Sequence, residues 1–229
     1  MTPSPMPRQG GDPPRPPRQP VFNAPPGVMW TTAVLVVCHA LFNILPATWR
    51  YGLLEWFAFV PAYFWAQFQG DAQLDLLSTF SLITHAFLHA DLLHLFLNGG
   101  LLLAFGSLIE RAMGTSWFLL LFALAAAGGA LAQALAVGPA LVVMIGASGA
   151  VYGMIGAAIP FLFAGRVGQS RRSALTFIVV IMGLNLVFGA FGLGEMLSGG
   201  GAIAWQAHIG GFLVGLLLGV IRRGSHGHA

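Results

Sequence analysis

Six stretches of this chain, at about residues 28–46, 85–105, 116–136, 144–164, 174–193 and 203–221, are apolar over a length that matches a lipid bilayer. A helix needs roughly 20 apolar residues to cross the hydrocarbon layer. Backbone amides in lipid find no water, so each run must satisfy its own hydrogen bonds as a helix. Composition agrees, with 57% of residues hydrophobic, 7% charged and 31 glycines. The predicted fold class is therefore all-α, a polytopic membrane bundle of six transmembrane helices. The ten basic residues, all arginine, form no long block, which sets nucleic-acid binding aside. The single cysteine, Cys38, excludes an internal disulfide.

The flanking sequence divides the chain further. Residues 1–27 are proline-rich and polar, with Arg8, Arg15 and Arg18, and cannot bury enough apolar surface to fold. They are expected to form a disordered cytoplasmic tail, followed by a membrane domain over 28–222 and a short tail over 223–229. Within the domain, residues 47–84 carry Trp49, Trp56 and Trp65 and are expected to lie in the membrane interface, partly helical. With the N-terminus inside, Arg111, Arg166, Arg171, Arg172, Arg222 and Arg223 fall on the cytoplasmic side and only Arg50 falls outside. That asymmetry predicts an integral membrane protein with both termini cytoplasmic. The lack of lysine and of targeting signals points to a bacterial inner membrane. The glycine-rich connection at 194–202 suits a mobile cap or a passive turn equally well, and oligomeric state stays open.

Chemistry concentrates in two of the apolar runs. Ser148 stands among Gly146, Gly149 and Gly153, and His208 leads a ladder of Gly211, Gly215 and Gly219. Small residues at this spacing let membrane helices approach closely, and a close crossing would bring His208 to Ser148. In the second run His94 and Asn98 are four apart and share a face, as do Ser148 and Tyr152. Polar groups inside a membrane are costly and mark function. A serine hydroxyl becomes a nucleophile when a base takes its proton, and His208 is the candidate on its segment. No acidic residue is placed to orient the imidazole, so a dyad is expected, with Tyr152 holding the ring by packing or a hydrogen bond. The Asn98 amide, the His94 ring N–H and the Ser148 backbone N–H are candidate donors to the negative charge that acyl transfer develops.

Other signatures fail. The soluble-hydrolase elbow needs a second glycine where Ala150 stands. His85 and His89 share a helical face with His94 close by, but further ligands of fixed geometry are missing, so no metal or cofactor is expected. His85 and His89 are expected to anchor the interfacial connection, and Asn185 and Gln133 to make hydrogen bonds between helices.

These residues resemble the rhomboid family of intramembrane serine proteases. The likeness rests on His89-x4-His94-x3-Asn98, on Gly146-Ala147-Ser148-Gly149 and on Ala207-His208-x2-Gly211-x3-Gly215, in that order over roughly residues 80–221. Glu110-Arg111-x2-Gly114 is a weaker likeness. The resemblance implies Ser148 as nucleophile, His208 as general base, and His94, Asn98 and the Ser148 amide as oxyanion stabilisers. It also implies single-span membrane-protein substrates, cut near the outer leaflet at small or helix-loosening residues, with membrane lipid as surroundings. The chain departs from the family at Phe80-Ser81, where many members carry Trp-Arg, and this bears on loop anchoring. Two other classes compete. A proteolytically silent rhomboid-like binder would ordinarily have lost the serine or the histidine. A small transporter would need polar residues through the full depth and an inverted repeat, and neither is visible.

Overall fold

The computed structural model describes residues 23–69, 76–163, 171–190 and 204–224. Most of the expected N-terminal tail, the connection at 194–202 and the residues after Gly224 lie outside the described residues. The elements run α1 (Pro26–Ile44), α2 (Ala47–Phe57), α3 (Pro61–Ala66), α4 (Leu76–Thr84), a 3-10 turn (His85–Phe87), α5 (Leu92–Leu101), a π turn (Leu102–Gly106), α6 (Ser107–Met113), α7 (Thr115–Val137), α8 (Ser148–Phe163), α9 (Arg171–Ala190) and α10 (Trp205–Gly224). Among the described residues, five helices are long and apolar enough to cross a membrane: α1, the continuous run Leu92–Met113, α7, α9 and α10. The described part of the interfacial connection holds the three short helices α2, α3 and α4, and it exposes Trp49, Tyr51, Trp56 and Phe68.

Two expected boundaries are corrected. The second segment, expected over 85–105, begins its long helix at Leu92 and continues to Met113. Asp91 stops the helix from starting earlier, because its side chain accepts the His94 N–H at 2.8 Å from an extended N-cap position. The fourth segment, expected over 144–164, is helical only from Ser148 to Phe163. Ahead of it the chain is extended: Phe59 and Met144 exchange both backbone hydrogen bonds, at 3.0 and 2.9 Å, as an isolated antiparallel bridge. Ser148 is thus the first residue of the central helix, not a residue one turn inside it.

Helix α8 is the core of the bundle, with nearly every residue from Gly149 to Leu162 buried. It packs chiefly against α10 and α7. The approach to α10 is backbone on backbone. A Cβ at Gly211 would lie 2.0 Å from the Gly149 carbonyl oxygen, and one at Gly215 would lie 1.8 Å from that of Gly153. The fit continues at Gly219, where a Cβ would lie 2.7 Å from the Ala157 oxygen. The outer helices turn apolar side chains away from the bundle, as Leu92, Leu93 and Phe96 do on α5 and Val179 and Leu184 on α9. In water such surface would be an aggregation hazard; for a membrane bundle it is the lipid-facing side.

The far end of the bundle is tied by Glu110, a buried carboxylate that caps α1. Its Oε1 accepts the Gly27 N–H at 2.9 Å and the Thr115 hydroxyl at 2.7 Å, and its Oε2 accepts the Val28 N–H at 2.7 Å. Helix α1 starts Pro-Gly-Val with no acid of its own in the first turn, so the anion that complements its N-terminus comes from α6. Arg111 donates to the Asn23 carbonyl, and the Arg222 guanidinium lies 5.1 Å from the Trp117 ring centroid at the same end.

The glycine contact gives a direct prediction. Gly215→Ala should destabilise the protein by about 1–3 kcal/mol through overpacking, seen as a lower thermal midpoint in detergent. Gly100→Ala, where nothing lies within 4 Å of the new Cβ, should be neutral or gain about 0.5–1 kcal/mol. Equal midpoints for the two variants would contradict the packing described.

Candidate active site

The site is assembled at the N-terminal end of α8, where the α8–α10 contact begins. Ser148 Oγ and His208 Nε2 are 2.8 Å apart, joined by a hydrogen bond between residues sixty positions apart in the chain. The Tyr152 ring, one turn along α8, stacks on the imidazole with centroids 4.3 Å apart and planes within 2°. On the other edge of the ring, His208 Nδ1 donates to the Asn185 side-chain oxygen on α9. A proton on Nδ1 leaves the Nε2 lone pair facing the serine hydroxyl. His208 and Asn185 are both buried.

The strand-like segment before Ser148 is held by two histidines. The Gly146 N–H donates to the His85 carbonyl at 2.9 Å, and the Ala147 N–H donates to His89 Nε2 at 3.5 Å. The helical ladder starts with Val151 N–H on the Ala147 carbonyl at 3.0 Å. The amides of the first turn, that of Ser148 among them, have no intrahelical acceptor. Asn98 is buried and its Nδ2 has no hydrogen-bond partner among the described residues. The His94 ring meets Gly146, and a Cβ there would come within 2.6 Å of His94 Cε1 and Nε2. Gly146 also has φ +118°, a conformation that favours glycine. His89 and His94 pack edge to face, 5.1 Å between centroids.

The structure thus brings together Ser148, His208, Tyr152, Gly146, Gly149, His89, His94 and Asn98. The loop-anchoring expectation is met by the ring of His85, which bonds Ser81 of the interfacial connection, and is corrected for the ring of His89, which bonds Ala147 instead. His85 Nδ1 bonds the Ser81 carbonyl at 2.8 Å, one turn back, while its own carbonyl and the His89 ring hold the segment leading into Ser148. Gln133 Oε1 is buried without a partner among the described residues, so the interhelical bond expected there is not seen for that atom. His39 was not singled out by its sequence context. It sits on α1, donates from Nδ1 to the His89 carbonyl at 3.2 Å and accepts from Asn43 at Nε2 at 3.1 Å, which links α1 to the segment carrying His89. Among the described residues no group of three or more His, Cys, Asp or Glu side chains converges as a metal site requires.

A family model described as the Rhomboid domain matches residues 77–225, well over half of the chain. The chain belongs to the rhomboid family. It is 30% identical over 141 residues to RHOMBOID-like protein 5 of Arabidopsis thaliana, covering 61% of this chain and 43% of that protein. RHOMBOID-like protein 4 of the same plant is 33% identical over 141 residues, covering 61% of this chain and 33% of that protein. The Rhomboid protease GlpG of Yersinia pestis (strain Pestoides F) is 29% identical over 188 residues, covering 82% of this chain and 60% of that protein. The chain therefore spans less than half the length of these plant relatives. Apolar helices and family membership together make it an integral membrane protein.

Gly146 is the sharpest test of this geometry that needs no substrate. Gly146→Ala should cost about 1–3 kcal/mol from its backbone conformation and the clash with His94. Adding His94→Ala should recover the steric part, so the two effects on thermal stability should be non-additive. Additive effects would mean that His94 does not lie against Gly146.

Proposed function

We propose that this rhomboid protein is an intramembrane serine endopeptidase that hydrolyses peptide bonds in or near the transmembrane segments of single-span membrane proteins. The observation that carries the reading is the 2.8 Å hydrogen bond between Ser148 Oγ and His208 Nε2, with the imidazole stacked on Tyr152. Ser148 Oγ attacks the scissile carbonyl carbon while His208 Nε2 takes the hydroxyl proton. The imidazolium then returns that proton to the leaving amine as the carbon–nitrogen bond breaks. Water attacks the resulting ester by the same route, with His208 again accepting the proton, and restores the serine.

Negative charge on the carbonyl oxygen of the tetrahedral intermediate would be met by the Ser148 N–H, the Asn98 Nδ2 amide and the His94 ring. The buried, unpartnered state of Asn98 Nδ2 supports this role, because a preorganised donor in a dry site stabilises an oxyanion far more than one in water. A helical substrate hides its carbonyls in its own hydrogen bonds, so small or helix-loosening residues near the scissile bond would favour cleavage. Water would reach the site from one side, since the polar side chains gather at the Ser148 end of the bundle and Glu110, Arg111 and Arg222 lie at the other.

The arginine distribution supports placing the Glu110–Arg222 end in the cytoplasm, with both chain termini on that side. A reporter fused after Arg223 is expected to read cytoplasmic, and an external signal would reverse the depth assignment. Reconstituted with a single-span reporter substrate, the wild type should cleave it and Ser148→Ala should not. Asn98→Ala should lower kcat by about 10²-fold, the effect of removing one oxyanion donor. Equal cleavage by Ser148→Ala would defeat the proposed function.

A further inference from the structure

The protease reading requires His208 to present a bare Nε2 to Ser148, and among the described residues the hydrogen bond on the far edge of the imidazole comes from an amide, not from an acid. Asn185 stands where such a residue would be. It lies on the inward stripe of α9 with Ile178, both buried, while Phe177, Val179, Val180, Leu184 and Leu186 around them are exposed. Its side-chain oxygen accepts from His208 Nδ1. One turn further along, Gly189 lets α9 close onto the last helix, where a Cβ would fall 2.4 Å from Trp205 Cβ. Trp205 and His208 are one turn apart on α10, so the same two turns of α9 and α10 meet at both points.

We propose that Asn185 is a positioning residue for His208: its amide oxygen holds the imidazole proton on Nδ1 and so keeps Nε2 free to accept from Ser148. The inference rests on the protease reading and extends it from a dyad to a relay of three side chains on three helices. Neutral imidazole carries one proton, and the nitrogen that bears it is set by what the other polar groups offer. With Asn185 turned over, its NH2 would donate to Nδ1 and drive the proton to Nε2, where it would point at the serine oxygen and block proton transfer. Asn185 Nδ2 has no partner among the described residues, so the only polar contact the structure gives this amide is the one from its oxygen to His208. Asn185 and Ser148 bond opposite nitrogens of the ring, so Asn185 acts on the serine through His208.

The test pairs kinetics with a direct reading of the ring. Asn185→Leu, of similar volume and without an acceptor, should lower kcat on the single-span reporter by about 10- to 100-fold, the loss of one orienting hydrogen bond. KM should stay within about twofold, because ground-state binding of substrate is untouched. Asn185→Asp keeps an acceptor at the same position and should recover most of the lost rate. Independently, protein labelled with 15N-histidine should show His208 protonated at Nδ1 in the wild type and shifted toward Nε2 protonation in Asn185→Leu, with His208→Gln identifying the signal. An unchanged tautomer in Asn185→Leu, an unchanged kcat, or failure of Asn185→Asp to rescue a folded protein would overturn the proposal. If the wild type cleaves nothing, the protease reading falls, and the tautomer comparison still decides whether Asn185 positions the ring.

Discussion

Everything at the candidate site depends on how closely two backbones approach. Along α8 and α10, carbonyl oxygens of one helix occupy the space where side chains of the other would begin, at Gly211 over Gly149 and at Gly215 over Gly153. Lipid chains are as apolar as any side chain, so water does not drive this contact; close packing over many atoms does. The consequence for chemistry is positional. His208 and Ser148 lie at the Ser148 end of this seam, and a methyl group added lower down would lever them apart. A hydroxyl and an imidazole held at hydrogen-bond distance by backbone contact need no flexible loop to find each other.

A second constraint concerns where α8 begins. The bridge between Phe59 and Met144 and the holds on Gly146 and Ala147 keep the preceding segment extended, so helical hydrogen bonding starts only at the Ala147 carbonyl. The nucleophile candidate therefore carries both a side chain facing His208 and an amide free of the helical ladder. Three histidines support this without touching the serine: His85 through its carbonyl, His89 through its ring, and His39 by fixing His89 from α1. The opposite end is tied by Glu110, whose carboxylate joins α1, α6 and α7. One end of the bundle holds helices together, and the other spends its polar groups on a site.

Much of this was legible in the sequence, for identifiable reasons. Glycine spacing near Ser148 and after His208 encodes a helix contact, and a histidine in an apolar run demands a partner, so their meeting could be anticipated. The bounds of the second and fourth segments could not be. Hydropathy registers Leu, Val and Ile alike in a helix or an extended strand, and Met144 pairs with Phe59 across the whole of α5, α6 and α7. Asp91 as an N-cap was a local signal that the hydrophobic run around it concealed. Asn185 was visible as an amide between helices, yet its partner was not, since nothing local distinguishes a bond to His208 from one to any neighbouring carbonyl. Glu110 likewise reads as a surface charge until the bare N-terminus of α1 is seen beside it.

The central claim is that Ser148 is an activated nucleophile because His208 reaches it across the glycine seam. Fluorophosphonate labelling of the purified protein, with the adduct located by mass spectrometry, tests that claim without any assumption about substrate. An adduct on Ser148 is expected in the wild type, with loss of labelling in His208→Ala. No adduct at Ser148, or labelling that is indifferent to His208, would contradict it.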